Sequence, residues 1–137
     1  MATRQTGLFA VLHTSSVLES RVEARLSGLN LSLAKLAALQ RLSEAAGSLP
    51  LEPLAERLAC VKSNVTQLID RLEADGLVSR AVEPNDRRSR LAVLTDAGRR
   101  AYTTGSGIQL KAEREIFGAL TRNESLKLHE LLGKLER

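Results

Sequence analysis

The sequence predicts a mainly α-helical fold that carries one small β-hairpin, and three observations predict it. Apolar residues recur at steps of three and four along most of the chain, the period of an amphipathic helix. Aromatic residues are nearly absent, with no Trp, one Tyr and two Phe, so the core must be packed from Leu, Val, Ile and Ala. The helical period breaks once, across 77–94, into two short runs rich in Val and Leu, with Pro84-Asn85-Asp86-Arg87-Arg88 between them. A chain of 137 residues with 43% hydrophobic content fits one domain, 1–137, with a real core.

The elements follow in order. From Gly7 to Leu26, the residues Leu8, Val11, Leu12, Ser15, Leu18, Val22 and Leu26 form a helical stripe. A second helix starts near Ser32, carries Leu33, Leu36, Leu39 and Leu42 on one side, and stops at the Gly-Ser around Gly47. A short helix follows, with Pro53 tolerable in its first turn and Leu54, Ala55 and Leu58 facing inward. After a break at Ala59 to Val61, a fourth helix runs from about Lys62 to Ala74, buries Val65, Leu68, Ile69 and Leu72, and ends at Asp75-Gly76. The hairpin strands are Leu77 to Val82 and Ser89 to Leu94. Thr95-Asp96 caps a fifth helix through Ile108, Ile116 and Leu120. Gly105 and Gly107 inside it each cost roughly 1 kcal/mol relative to Ala, which predicts a bend or fray there. The last helix spans Thr121 to Leu135, with Leu128, Leu131, Leu132 and Leu135 apolar and a Glu130–Lys134 surface pair.

Several functions are excluded at this stage. No Gly-rich phosphate loop, no nucleophile with a placed base and no metal-spaced cluster is present, so neither an enzyme nor a cofactor is expected. The apolar run Leu8 to Leu12 is too short for a signal peptide or a membrane span, which predicts a cytoplasmic protein. One cysteine, Cys60, cannot form an internal disulfide, and with His13 and His129 far apart in sequence it makes a poor metal site. Twenty basic against sixteen acidic residues leave a net charge of +4, which suits a polyanionic partner.

Helix, helix, short helix, turn, helix, ribbon, helix, helix is the order of a winged helix-turn-helix set within flanking helices. The stretch KSNVTQLIDRLEADGLVSRAVEPNDRRSRLAVLTDAG, Lys62 to Gly98, closely resembles the DNA-binding lobe of the MarR family, the multiple antibiotic resistance type of bacterial regulator. Leu31 to Ala59 resembles the two helices that precede that lobe. The resemblance implies a winged helix-turn-helix lobe over 31–100 and dimerisation helices over 5–28 and 101–137. It further implies a homodimeric repressor of transcription that straddles double-stranded DNA at a pseudo-palindromic operator, and a small, often phenolic, effector that releases it. A first helix with so large an apolar stripe independently calls for a partner surface; the plainer alternative is that the stripe packs on its own domain.

The candidate DNA-binding residues lie on the fourth helix and the hairpin. The N-terminal half of the helix holds Lys62, Ser63, Asn64, Thr66 and Gln67 and no acid, whereas its C-terminal half holds Asp70, Arg71, Glu73 and Asp75. Ser63, Asn64 and Gln67 share a face opposite Leu68 and Leu72, and such side chains can read base edges in the major groove. Lys62 and Arg71 suit phosphates, which set register and affinity. The bland alternative is a solvated polar face. A hairpin tip with Arg87, Arg88 and Arg90 is narrow enough to enter a minor groove, where the concentrated negative potential favours guanidinium groups. By resemblance, Arg88 is the wing-tip residue and Asp86 holds its guanidinium through an ion pair. Arg80 and Arg90, on the strand stems, suit phosphates, with Arg87 between the two roles.

Two departures from the family pattern stand out. Ala59 replaces the usual Gly of the turn before the fourth helix, and Val61 replaces a Ser-type cap, which leaves the start of that helix open by a residue or two. Cys60, in the same turn, raises the alternative of a redox-responsive regulator, although a free cysteine there reads more simply as a small buried apolar residue. The other alternative is a dimeric winged-helix interaction module whose basic wing binds an acidic protein. Preference for one duplex sequence over another separates it from a regulator. His13 and His129 read as interfacial hydrogen-bonders rather than zinc ligands.

Overall fold

A computed structural model describes residues 7–58 and 64–137. Helix α1 spans Gly7–Leu26 and passes through a single 3-10 turn, Ser27–Leu29, into α2, Leu33–Glu44. The Ser32 hydroxyl caps α2 by accepting the Lys35 amide at 3.1 Å. Helix α2 ends where Ala46 and Gly47 take positive φ, and Gly47 donates to the Leu42 carbonyl at 2.8 Å. Strand β1, Ser48–Pro50, and helix α3, Leu51–Arg57, lead to α4, Val65–Ala74. Strands β2, Val78–Glu83, and β3, Asp86–Leu94, form the hairpin, and helices α5, Asp96–Phe117, and α6, Arg122–Leu135, complete the fold.

The expected two-stranded ribbon is in fact a three-stranded antiparallel sheet of order β1-β3-β2. Strand β1 adds to the base of the hairpin, where Ser48, Leu49 and Pro50 face Val93, Ala92 and Leu91. This leaves the distal half of the hairpin projecting with β3 unpaired on that edge. At its base the hairpin is core: Val78, Ala92 and Leu94 are buried with Leu26, Leu36, Leu39, Leu42, Leu54, Ile69 and Leu72.

The expected fray in α5 does not occur, because the helix is continuous through both glycines. Gly105 is there for packing. A Cβ at that position would come within 2.8 Å of Leu31 and 2.9 Å of Leu36, so its absence lets α5 lie close on the start of α2. Helix α1 crosses α5, and an ion pair between Arg25 and Glu115 ties them, holding the Glu115 carboxyl below its usual range.

Helix α6 opens with a capping box. Thr121 Oγ1 accepts the Glu124 amide at 3.1 Å and Glu124 Oε1 accepts the Thr121 amide at 2.8 Å. The Thr121 amide, and then its hydroxyl, lower the Glu124 pKa. A carboxyl held low in the folded state stabilises the helix above its unfolded pKa, and that contribution is lost as pH falls through the folded one. Glu124→Ala is therefore expected to lower the unfolding midpoint at neutral pH, with the difference from the parent shrinking on acidification through the carboxylate range. A loss that does not vary with pH contradicts this cap.

The first helix resolves the question of its stripe. Only Val22 and Leu26, at its C-terminal end, are buried, while Leu8, Phe9, Val11, Leu12 and Val17 are exposed. Leu126, Leu131, Leu132 and Leu135 of α6 are exposed too. Between α1, α5 and α6 lies an apolar groove of about 620 Å³, lined by residues that include Val11, Leu18, Ile116, Phe117, Leu128 and Leu132. Only the C-terminal end of the stripe packs on its own domain.

Candidate nucleic-acid interface

Helix α4 begins at Val65, and Asn64 is its N-cap, with Oδ1 accepting the Gln67 amide at 3.2 Å. The cap missing at Val61 is thus supplied three residues later. This changes the expected role of Asn64, whose side-chain oxygen is turned to the helix terminus, off the helical face it was expected to share with Gln67. Lys62, Ser63 and Cys60 lie outside the described residues.

The buried side of α4 is Leu68, Ile69 and Leu72, with Val65 half-buried. Thr66, Gln67, Asp70, Arg71 and Glu73 are exposed. Helical spacing divides these into two flanks: Gln67 and Arg71 at i and i+4, and Thr66, Asp70 and Glu73 at i, i+4 and i+7. The two flanks differ in charge and in neighbours. Arg80, reaching back from β2, places Nη2 2.6 Å from Asp70 Oδ1 and Nη1 2.9 Å from Glu73 Oε1. Hydrogen bonding to Asp70 raises the Arg80 pKa above its already high usual value. The guanidinium expected to meet phosphate is here engaged with α4 itself.

The base of α4 is held as well. Asp75, its C-cap, accepts Lys35 Nζ at 2.9 Å and Asn30 Nδ2 at 3.4 Å, and Lys35 also donates to the Asn30 carbonyl at 3.1 Å. Asn30 has a left-handed φ of 56° in the turn after α1. The end of α1, the start of α2 and the end of α4 therefore meet in one polar knot.

The chain turns from α4 into the wing at Gly76, whose φ of +76° suits glycine, and Leu77 donates to the Leu72 carbonyl at 2.9 Å in the manner of a helix C-terminal motif. The hairpin is regular from the Val78–Leu94 pair to the Val82–Arg90 pair, and the next pair is Glu83–Asp86. Arg87, Arg88 and Ser89 therefore bulge out of the ladder opposite a single step of β2. Such a bulge re-aims side chains and bends the strand. Arg87, Arg88 and Arg90 are all exposed. The ion pair expected between Asp86 and Arg88 is absent among the described residues. Asp86 Oδ1 instead accepts the backbone amide of Arg88 at 3.0 Å, and Arg90 Nη1 donates to the Arg87 carbonyl at 3.3 Å. The acid organises the backbone of the bulge, a local turn bond of the kind Asp commonly makes.

His13 and His129 are exposed on α1 and α6, and among the described residues no group of His, Cys, Asp and Glu is arranged to hold a metal. None of the described helices is long and apolar enough to cross a membrane.

A short helix, a second helix with a polar exposed face, and a hairpin that leaves its end with arginines at the tip define a winged helix-turn-helix protein. A family model described as MarR family matches residues 31–89. The transcriptional activatory protein BadR of Rhodopseudomonas palustris is 35% identical over 105 residues, covering 75% of this chain and 59% of that protein. The crystal structure of a probable transcriptional regulator from Pseudomonas aeruginosa superposes with a TM-score of 0.85 at 26% identity, over 96% of this chain and 97% of that one. A cysteine-to-serine mutant of MarR from E. coli, complexed with operator DNA, superposes with a TM-score of 0.82 at 25% identity, over 93% and 92% of the two chains. Over residues 31–89 this chain matches the MarR family of transcriptional regulators. It spans less than three fifths of the length of the curated relatives it matches.

Proposed function

We propose that this chain binds double-stranded DNA sequence-specifically as a homodimer and represses transcription from a pseudo-palindromic operator in the cytoplasm, with a small-molecule effector controlling release. The observation that carries the reading is the pairing of two exposed elements that leave one turn, Asp75–Leu77: the Gln67 and Arg71 flank of α4 and the arginine bulge of the wing. In this reading Gln67 reads a base edge in the major groove, Arg71 takes a phosphate, and Arg87, Arg88 and Arg90 enter or border the minor groove. Lys62, Ser63 and Thr66 complete the approach of the helix N-terminus. The E. coli neighbour complexed with operator DNA supports the docking. Repression follows where a straddling dimer covers a promoter, whereas the relative BadR is named as an activatory protein.

The reading is tested by two variants on a duplex recovered from a random-sequence pool. Gln67→Ala is expected to cost about 1–3 kcal/mol on that duplex and to relax preference at one base position. Arg88→Ala is expected to weaken selected and random duplexes alike and to lower the salt slope of binding by about 1. If the two variants act equally on both duplexes, this division of labour is wrong.

A further inference from the structure

The fork from Arg80 to α4 is not used by the base and phosphate contacts above. It joins the middle of β2 to the acidic flank of the recognition helix, across a turn whose conformation rests on Gly76. Without it, among the described residues, the distal hairpin is connected to α4 through 75–77 and the apolar base of the sheet, since β1 pairs with β3 no further out than Leu91. Arg80 pairs with Ala92, one step closer to the base than that, so the fork acts where the projecting part of the wing begins. Its side chain is only a quarter exposed, whereas Asp70 and Glu73 are about half exposed.

Resting on the reading of the protein as a DNA-binding regulator, we infer that Arg80 is a positioning residue: paired with Asp70 and Glu73, it fixes the angle between wing and recognition helix and neutralises the helix's acidic flank. Both effects act before any duplex arrives. A guanidinium presents its donors in a rigid planar fork, so two carboxylates one helical turn apart can hold it in a single orientation. Two carboxylates beside the reading face would otherwise repel phosphates. Preorganisation of this kind shows in specificity, because a helix and wing set at the wrong angle cannot seat base and minor-groove contacts together.

The rival role, a direct phosphate contact, predicts the opposite sign in one variant. Asp70→Asn with Glu73→Gln removes two negative charges near DNA and frees Arg80, so a phosphate-contacting Arg80 binds every duplex more tightly. A positioning Arg80 instead loses its anchor, and the ratio of selected to random affinity falls by about tenfold, the scale of coupling found between neighbours in one network. Arg80→Ala gives the same fall in ratio, and Arg80→Lys, which can pair with one carboxylate but not fork between two, restores part of it.

The test has two arms on the full chain. Without DNA, hydrogen exchange is followed at the amides of 79–83 and 87–91 in the parent, Arg80→Ala, Arg80→Lys and the Asp70→Asn/Glu73→Gln variant, with core amides of α2 as the measure of global stability. The inference predicts faster exchange in the wing of the Ala and double variants at unchanged α2 protection, with Lys between. Equal wing exchange in all four overturns it, as does a rise confined to proportional loss in α2. With DNA, a fall in the selected-to-random ratio in the double variant supports the inference, and uniformly tighter binding overturns it. A parent chain that selects no duplex refutes the proposed function alone, and the exchange arm still decides the role of Arg80.

Discussion

Leu12→Asp combined with Leu132→Asp is expected to turn the protein into a monomer in sedimentation and to lower operator affinity by about 10²–10⁴-fold, since linked half-sites gain that much over single ones. The argument begins with exposure. Leu12 is 53% and Leu132 42% exposed in the single chain, and Leu8, Phe9 and Val11 of α1 and Leu126, Leu131 and Leu135 of α6 are exposed with them. Folded chains rarely leave large apolar patches in water without a partner for them. Filling the groove between α1, α5 and α6 with the same helices of a second copy removes that exposure, at roughly 25 cal/mol per Å² of apolar area buried. Because both positions face solvent in the single chain, aspartates there leave its core intact, and helical content and lobe stability are expected to survive. A double variant that remains dimeric and binds as the parent does contradicts the proposed interface.

The second large effect is on stability. Gly98→Ala is expected to cost about 3 kcal/mol or more, the range of overpacking against groups that cannot move aside. A Cβ on Gly98 would lie 2.1 Å from the Leu77 carbonyl oxygen and 2.7 Å from Leu94. That carbonyl is fixed, because it accepts the Thr95 amide at 3.2 Å. Thr95 also donates its hydroxyl to the Gly76 carbonyl at 2.7 Å and accepts the Gly98 amide at 3.0 Å. One methyl group therefore pushes α5 off the point where α4, the hairpin and α5 converge. Gly107→Ala is the control: nothing lies within 4 Å of its Cβ, so the better helix former is expected to stabilise by about 0.5–1 kcal/mol. Comparable unfolding midpoints for the two variants would contradict the account of the junction.

Helix identities were legible because each apolar stripe has its own period, and the end of α4 and start of α5 because Gly76 and Thr95 are chemically specific to helix termini. Strand β1 was not legible, since three residues ending in proline carry no alternation and gain their state only from pairing with β3. Gly105 misled for a related reason: helix propensity describes an isolated helix, whereas its value here lies in the approach of Leu31 and Leu36, far away in sequence. At the candidate site, the sequence located the charged residues but not their partners. Arg80 lies ten residues from Asp70, and only the turn at Gly76 makes them neighbours. The resemblance implied an ion pair between Asp86 and Arg88, yet in the bulge it is the Arg88 amide that donates to Asp86 Oδ1. Asn64 was read as a face residue because the start of α4 was set near Lys62, and a cap and a base-reading residue draw on the same amide chemistry.

The central claim is that two copies of this chain read one duplex. It is tested most directly by incubating the purified protein with a pool of random-sequence duplexes at near-physiological salt, recovering the bound fraction and sequencing it. The account predicts enrichment of an inverted repeat with half-sites about one helical turn apart, bound by two chains per duplex. Recovery of unenriched DNA by folded, dimeric protein, or of a single half-site bound by one chain, would contradict it.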